Sequence, residues 1–221
     1  LWLVDIQPSE LKKLSAVYQR VLQVKKHRQS SNRQATQKLA TTPHLFGEIR
    51  QPNSDFIFVP LTSSENRHYI PFDFVSKKYI ANNSCSIIPK ATLYHFGVLT
   101  STMHMTWVRY VCGRLESRYR YSNEIVYNNF PWASDVSKKK KETVETLAQS
   151  ILDIREVYIV NGSTLADLYN PTLMPHDLLK AHQALDKAVD KCYRDTPFTT
   201  EPKRIEYLFE LYDSYTAGLF A

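Results

Sequence analysis

The sequence predicts an α+β fold: a small antiparallel or mixed sheet with flanking helices, followed by a C-terminal helical subdomain. Between Phe46 and Pro89, short runs rich in β-branched and aromatic residues are separated by proline, asparagine, aspartate and serine, which is typical of strands and turns. Before and after this segment, apolar residues recur at helical spacing. With 43% hydrophobic residues, the chain can build a sizeable core. We expect one domain over residues 1–135, comprising a basic helix and the sheet, and a helical subdomain over residues 136–221.

The first predicted element is an amphipathic helix over residues 9–30, with Ser9 as its cap. The far side and the end of this helix are basic, and a polar segment with a further arginine follows. Such a helix either has an ordinary solvated face or lines the backbone of a nucleic acid, because phosphate contacts fix register without reading sequence. The cations that would make these contacts include Lys12, Lys25, Lys26, Arg28 and Arg33.

The predicted strands lie in five runs of residues 46–89, and prolines stand at the ends of the runs, where a missing N–H does least harm. The turn at residues 81–84 is short and polar, so its side chains can lean out of the sheet. An asparagine there can pair with two atoms of adenine's major-groove edge. The alternative is an Asx turn, in which the asparagine bonds its own backbone. The runs are FGEIRQPNSD, FIFVP, HYIPFDFV, KYIAN and CSIIP.

Residues 112–132, CGRLESRYRYSNEIVYNNFPW, combine charged and aromatic side chains at high density. Arg114, Glu116, Arg118 and Arg120 fall at every second position, so a single extended strand would project all four from one face. Arginine matches the two acceptors of guanine and glutamate accepts from cytosine's amino group, so the two could share one C·G pair. The alternative is a charged, solvated strand face with an internal Glu116–Arg118 ion pair.

After Trp132 the pattern becomes helical. Ser137 and the lysines that follow it introduce one helix, Pro175 introduces a second and Pro202 a third. We expect these three helices to pack on the sheet or on a further part of a longer protein. Another helix, from Thr100, is expected to lead into the arginine-rich stretch.

The formal net charge is +6, and the excess lies in the first segment and the arginine-rich stretch, as a polyanionic partner requires. The three cysteines are scattered without the spacing of a zinc site or a disulfide framework, so we expect buried thiols in a reducing cytoplasm. No apolar run approaches the roughly 20 residues of a membrane span. The sequence begins without Met and within an apolar run, so we expect it to be a fragment of a longer protein.

No catalytic or metal-binding residue is expected in this chain. Methyl transfer from S-adenosylmethionine requires a glycine-bearing cofactor loop and an Asn/Asp-Pro-Pro-Tyr type of motif. Neither occurs in this sequence, which contains only 5 glycines. The segment YNNF at 127–130 lacks the Pro-Pro step. Metal-dependent cleavage requires clustered Asp, Glu and Lys, which the sequence does not show. The histidines and methionines of residues 95–105 lack a converging carboxylate or cysteine.

The words HMTWVRYVCGRLESRYRYS and IVYNNFPW resemble the C-terminal target-recognition region of the MmeI-like type II restriction and modification enzymes. These are single chains that join a nuclease, an adenine methyltransferase and a DNA-reading domain. The resemblance covers nearly the whole chain and departs at Ala133, where the family usually has a second proline. It continues through LATTPHLFGEIRQPNSDFIFVP, RHYIPFDFVSKKYIANNS, IIPKATLYHFGVLTS and LADLYNPTLMPHDLLKAHQALDKAVDKCYR.

The resemblance implies that residues 1–135 recognise specific double-stranded DNA beside the parent enzyme's methyltransferase domain, in the cytoplasm. It also implies that S-adenosylmethionine, and a divalent metal if a nuclease is present, bind elsewhere in the parent. Glu116 and Arg118 match the positions that read the pair next to the methylated adenine, and relatives with Lys and Asp there prefer the opposite base. The same carry-over makes Asn83, Ser84, Ser117 and Arg120 base-reading candidates. Arg114, in the arginine-rich stretch, is expected to contact phosphate.

Two alternatives concern the aromatic residues of the segment 119–132. These rings are expected either to bind a protein partner or to stack on the bases of single-stranded nucleic acid. The rings are Tyr119, Tyr121, Tyr127, Phe130 and Trp132.

Overall fold

The computed structural model describes residues 1–217, and the chain folds into two compact units, of which the first comprises residues Leu1–Gln51 and the second begins at Pro52. The last residues of the expected C-terminal helix, 218–221, lie outside the described residues. Among residues 1–217, none of the helices combines the length and hydropathy that crossing a bilayer requires.

The first unit is helical, but its predicted single helix over residues 9–30 is wrong. Leu14, with φ −88° and ψ 72°, interrupts the helix. Pro8 occupies the first turn, where its missing N–H has no intrahelical partner. The predicted apolar face is only partly buried, since Val21 is 7% exposed whereas Leu22 is 39% exposed. The elements are α1 (Pro8–Lys13), α2 (Ser15–Gln29), α3 (Gln34–Lys38) and a 3-10 turn (Leu39–Thr41).

The second unit begins with a three-stranded antiparallel sheet. Its central strand β1 (Phe56–Pro60) pairs with β3 (Asp73–Val75) on one side and with β4 (Cys85–Pro89) on the other. The predictions for FIFVP and CSIIP are confirmed, and β3 lies at the end of the predicted run HYIPFDFV. The runs at 46–55 and 78–82 form no strand. Phe56 and Ile57 of β1 are fully buried, which explains why this apolar run is the centre of the sheet.

A second antiparallel sheet contains β2 (Thr62–Ser63), β5 (Gly113–Leu115) and β6 (Arg118–Arg120), with β6 in the middle. Strand β2 follows β1 after one residue, Leu61. The sequence does not predict β2, because two residues are too few to establish a period.

Helices pack behind the sheets. Helices α4 (Leu93–Leu99) and α5 (Thr102–Val111) lie in the chain between β4 and β5, and a π-helical turn (Asn123–Tyr127) follows β6. Three long helices make up most of the C-terminal part, as expected, with one short helix between the first two. These are α6 (Lys138–Val160), α7 (Leu165–Leu168), α8 (His176–Tyr193) and α9 (Glu201–Thr216).

The three predicted starts of the C-terminal helices are found in the structure, whereas the first helix begins at Pro8 rather than after a Ser9 cap and α5 begins at Thr102 rather than Thr100. Ser137 caps α6 by accepting a hydrogen bond from the N–H of Lys140, Pro175 immediately precedes α8, and Pro202 lies in the first turn of α9. The C-terminal helices share one hydrophobic core with the sheets and with α4 and α5, so their expected packing on the sheet is confirmed. Fully buried members of this core include Phe72, Phe96, Val144, Leu185 and Leu208.

Candidate nucleic-acid interface

The arginine-rich stretch is a β-hairpin, so the prediction of one extended strand is wrong. Strands β5 and β6 are joined by the two-residue loop Glu116–Ser117, and Leu115 stands opposite Arg118. Glu116 has a φ of 57°, in the left-handed region that few side chains adopt. Two-residue hairpin loops require a positive φ at their first residue because it matches the twist of the strands. The chain therefore reverses direction at the residue predicted to lie in the middle of a strand.

The reversal separates the four charged residues. Residues paired across an antiparallel ladder share a face, so Arg118 and Arg120 lie on the face of Leu115 and Gly113. Arg114 pairs with Tyr119 and lies on the other face, where its guanidinium stacks 4.2 Å from the ring centre of Tyr119.

Arg114 is held in place by the backbone. It donates hydrogen bonds to the carbonyl oxygens of Ser117, at 3.2 Å, and Arg109, at 3.3 Å. These contacts brace the hairpin, and they favour a structural role over the expected phosphate contact.

Glu116 and Arg118 form an ion pair at the hairpin tip. The Arg118 guanidinium lies 2.7 Å from the Glu116 carboxylate, and the Arg118 and Glu116 side chains are 47% and 75% exposed. An ion pair this exposed stabilises a fold by only about 0–1 kcal/mol. The pair aligns a donor and an acceptor in solvent, and a ligand can replace the contact between them at little cost.

Glu65 is part of this tip, although the sequence reasoning did not find it. A hydrogen bond from Ser117, its own backbone, and the nearby Arg114 and Arg118 lower the pKa of the Glu65 carboxyl. Ser117, an expected base reader, therefore lies near a second carboxylate as well as that of Glu116. Only spatial proximity could reveal Glu65, because it follows β2 in a loop without a motif.

The turn before β4 lies beside the hairpin because the backbone of one residue, Leu61, is hydrogen-bonded to both segments. Leu61 donates its N–H to the carbonyl of Ser84 at 3.1 Å and accepts a hydrogen bond from the N–H of Tyr121 at 2.9 Å. The structure thus brings the turn that carries Asn83 and Ser84 close to the end of β6, where Arg120 lies.

Within the turn, the Asx alternative is correct for Asn82, whose side-chain oxygen accepts from the N–H and the hydroxyl of Ser84 at 3.0 and 2.6 Å. Asn83 is exposed, and its amide has no hydrogen-bonding partner within residues 1–217. Asn83 is therefore the more available of the two expected readers.

Helix α5 forms the base on which the hairpin stands. His104 contacts the hydroxyl of Tyr121, with 2.9 Å between Nε2 and the oxygen, and burial lowers the pKa of His104 to about 3. Trp107 donates its ring N–H to the carbonyl of Val126. At the start of α5, Asp186 accepts hydrogen bonds from the N–H and the hydroxyl of Thr102, both at 2.6 Å. These contacts tie α5 and the hairpin to α8.

The aromatic residues of the segment 119–132 do not form an exposed platform. Tyr119, Tyr121 and Phe130 are 3%, 2% and 4% exposed and belong to the core. Tyr127 and Trp132 are half-buried and pack against the same core. Stacking on bases requires exposed ring faces. The burial of these rings argues against both alternatives that rest on them.

The basic residues of the first unit differ in availability. Lys12, Lys25, Lys26 and Arg33 are exposed. Arg28 instead donates three hydrogen bonds of 2.9 to 3.0 Å, to the carbonyl oxygens of Leu39, Thr42 and Leu45. Arg28 holds the chain after α3, and this favours a structural role for it over a phosphate contact.

In the described part of the chain, no group of three or more His, Cys, Asp or Glu side chains is arranged to hold a metal ion. The two most buried histidines, His104 and His182, contact tyrosine hydroxyl groups instead. The hairpin surface presents one hydrogen-bond acceptor, the Glu116 carboxylate, and two exposed donors, the guanidinium groups of Arg118 and Arg120.

In the comparisons with known proteins, two family models match successive parts of the chain. The family described as MmeI, target recognition domain, matches residues 1–134, and MmeI, C-terminal domain, matches residues 136–220. The chain is 40% identical over 216 residues to DNA methyltransferase A of Bacillus subtilis (strain 168), covering 98% of this chain and 24% of that protein.

Among solved structures, the chain resembles the type IIL restriction-modification enzyme MmeI in complex with DNA. The TM-score is 0.90 and the identity 45%, over 98% of this chain and 29% of that chain. The chain thus spans about a quarter of the length of these two proteins. It belongs to the MmeI target recognition domain family and carries the MmeI C-terminal domain directly after that region.

Proposed function

We propose that this chain recognises a specific sequence in double-stranded DNA, with the β5–β6 hairpin in the major groove. A two-stranded β-ribbon fits this groove, which is about 12 Å wide. The similarity to a restriction-modification enzyme solved with DNA, over 98% of this chain, supports a DNA ligand.

The observation that carries the proposal is the state of Arg120. Its side chain is exposed and has no hydrogen-bonding or ionic partner within residues 1–217. Every other arginine between Pro52 and residue 217 is engaged with the protein. An unpaired guanidinium beside an aligned Glu116–Arg118 pair suits an external ligand with acceptors and donors, which is the pattern of base edges. The engaged arginines are Arg67, Arg109, Arg114, Arg118, Arg155, Arg194 and Arg204.

We assign distinct roles to the side chains at the tip. Arg118 donates to guanine while Glu116 accepts from the amino group of the paired cytosine. Arg120, Ser117, Asn83 and Ser84 influence neighbouring positions. The exposed cations Lys12, Lys25, Lys26 and Arg33 contact phosphates, which fix register without reading sequence.

We further propose that the chain works within a longer adenine-specific DNA methyltransferase with fused restriction activity. S-adenosylmethionine and the metal of a nuclease are assigned to parts of that enzyme outside this chain. Residues 1–217 do not fit either group, since they present neither a glycine-rich cofactor loop nor a cluster of metal ligands. The chain alone is accordingly expected to transfer no methyl group to DNA.

The first test is the salt dependence of binding by the 221-residue chain. A fluorescent duplex is titrated at several salt concentrations, and we expect weak binding with a steep slope, about 0.9 for each phosphate neutralised. Replacing Lys25 and Lys26 by alanine reduces the slope by about 0.9 for each phosphate that is no longer neutralised. Lys203→Ala, which removes a cation already paired with Glu206 on α9, serves as the control. Affinity that does not change with salt, or preference for single strands, would contradict the proposal.

The second test exchanges donor and acceptor in the full-length enzyme. Glu116→Lys combined with Arg118→Asp inverts which strand carries the guanine, so methylation is expected to move from sites with C to sites with G at that position. Each single change leaves a mismatched group at the base edge and weakens recognition of the site by about 1–3 kcal/mol. Sequencing of methylated sites provides the readout. An unchanged site in the double variant would show that the two residues form only a structural ion pair.

A further inference from the structure

Gly113 stands out among the glycines of the described residues because neither its backbone nor its packing requires glycine. Gly162 has a φ of +95°, and a Cβ on Gly97 would lie 2.7 Å from Val144. A Cβ on Gly47 would lie 3.0 Å from Leu39. A Cβ on Gly113 would meet nothing closer than the Arg120 carbonyl oxygen, at 3.9 Å, and its φ is not in the left-handed region.

A glycine without such a reason is unfavourable in a strand. It loses more conformational freedom on folding than other residues and contributes no side chain to packing. Glycine within a strand often marks a place where a ligand or another backbone approaches closely. The neighbours of Gly113 in the sheet indicate what would approach it.

Gly113 lies next to the unpaired arginine. It is exposed and stands directly opposite Arg120 in the β5–β6 ladder, and on the other side of Arg120 stands Thr62 of β2. The three residues form one row across the sheet and share the exposed face. Arg120 therefore has a threonine on one side and open space on the other.

We propose that Gly113 is a positioning residue for base recognition: its missing side chain leaves the space beside Arg120 into which the DNA base edge enters. This inference rests on the proposed function, and it deepens it by naming the point of closest approach. Any side chain at position 113 projects into this space, because Cβ atoms of directly opposed residues are about 4.5–5.5 Å apart.

The effect of filling the space follows from hydrogen-bond geometry. An N–H···O contact has its optimum near about 2.9 Å and weakens beyond about 3.2 Å. A methyl group displaces the guanidinium or the duplex slightly, whereas the two methyl groups of valine occupy the space itself. The loss of binding is therefore graded with side-chain size, while the fold gains strand-forming residues.

The experiment compares Gly113→Ala and Gly113→Val with the unmodified chain. Thermal unfolding is expected at an unchanged or higher midpoint, because both residues fit the backbone and favour strands over glycine. Duplex affinity, measured by fluorescence anisotropy at fixed salt, is expected to fall about 5- to 150-fold for valine, the range expected when one good base pairing is removed. Alanine is expected to lie between valine and glycine. Ala184→Val, at an exposed position on α8, is the control and leaves affinity unchanged.

A double variant tests whether Gly113 acts through Arg120. If it does, Gly113→Val combined with Arg120→Ala binds no more weakly than Arg120→Ala alone, because interacting residues are not additive. Additive losses, or a valine variant that binds as tightly as the unmodified chain, would overturn this inference alone. Failure of the unmodified chain to bind duplex DNA would overturn the proposed function and, with it, this inference.

Discussion

The helix–sheet junction around Arg155 and the hairpin around Arg120 show two opposite uses of arginine. Arg155, on α6, is 2% exposed, and its guanidinium donates to the Tyr169 hydroxyl and, at 2.8 Å, to the Phe72 carbonyl. The Asp73 carboxylate lies 3.6 Å away. Arg120, on β6, is exposed and has no partner within residues 1–217.

This contrast shows that burial and pairing, rather than residue type, separate the groups that hold the fold from those that serve a ligand. A buried charge must have its partners inside the protein, because desolvation is costly. An exposed guanidinium without a partner costs the fold almost nothing and remains available. The junction and the hairpin should therefore respond in opposite ways to the same substitution.

The largest effect is expected from replacing the buried arginine. Arg155→Met removes the donor to the Tyr169 hydroxyl and the Phe72 carbonyl and the cation beside Asp73, which should reduce the free energy of unfolding by about 3–5 kcal/mol. Arg120→Met is the matched control and should change it by less than about 0.5 kcal/mol. Urea unfolding measures both variants. Equal destabilisation of the two would remove the distinction between the regions.

The opposite result is expected for DNA affinity. Arg120→Met should weaken duplex binding by about 1–3 kcal/mol, since methionine cannot donate to a base edge. Arg114→Met, on the other face of the same hairpin, should weaken binding less, because Arg114 is held by backbone carbonyls and by Tyr119. Anisotropy titrations of the two variants provide the measurement. A larger loss of affinity for the Arg114 variant would mean that the hairpin contacts DNA with the face of Arg114 and not with that of Arg120.

The buried region should also carry the acid sensitivity of the fold. His104 has its pKa lowered to about 3 by burial, whereas an unfolded histidine titrates near about 6.5, so the unfolded chain binds more protons between these values. Burial of neutral His104 therefore does not reduce the free energy of unfolding above about pH 6.5. As the pH falls from there towards 3, the free energy of unfolding decreases by about 1.4 kcal/mol per pH unit.

Urea unfolding at about pH 7, 6 and 5 tests this dependence. His104→Gln should flatten the decline, whereas His27→Gln, on the exposed side of α2, should not. An unaltered decline in the His104 variant would mean that another group is responsible.

The smallest effect is expected at Glu116. Its positive φ costs a side-chain-bearing residue about 1 kcal/mol relative to glycine, which slightly exceeds the value of its exposed ion pair. Glu116→Gly should therefore keep or slightly raise stability while reducing discrimination at one base pair, where Arg118 remains as the donor to guanine. Asp135→Gly, at another residue with positive φ (52°), is the control for the backbone gain. Selection from randomised duplexes reads out specificity. Unchanged selectivity would mean that Glu116 serves only the turn and does not read a base.

Several features of the chain can be predicted from the sequence because they depend on local chemistry. The apolar runs FIFVP and CSIIP form strands since β-branched and aromatic residues pack on a pleated surface. Ser137 starts α6 because its hydroxyl satisfies a free N–H of the first turn. The family resemblance likewise rests on words of sequence, and the matches over residues 1–134 and 136–220 confirm it.

The arrangement of the recognition residues depends instead on long-range packing. Alternation at residues 114–120 fits one extended strand as well as a hairpin, and the reversal at Glu116 depends on pairing within the sheet. Arg155 resembles an ordinary helix cation in sequence, and only packing brings Tyr169 and the Phe72 carbonyl to it. Local preference determines which segments are helix or strand. Contacts between residues distant in the chain determine which charges are buried and which face a ligand.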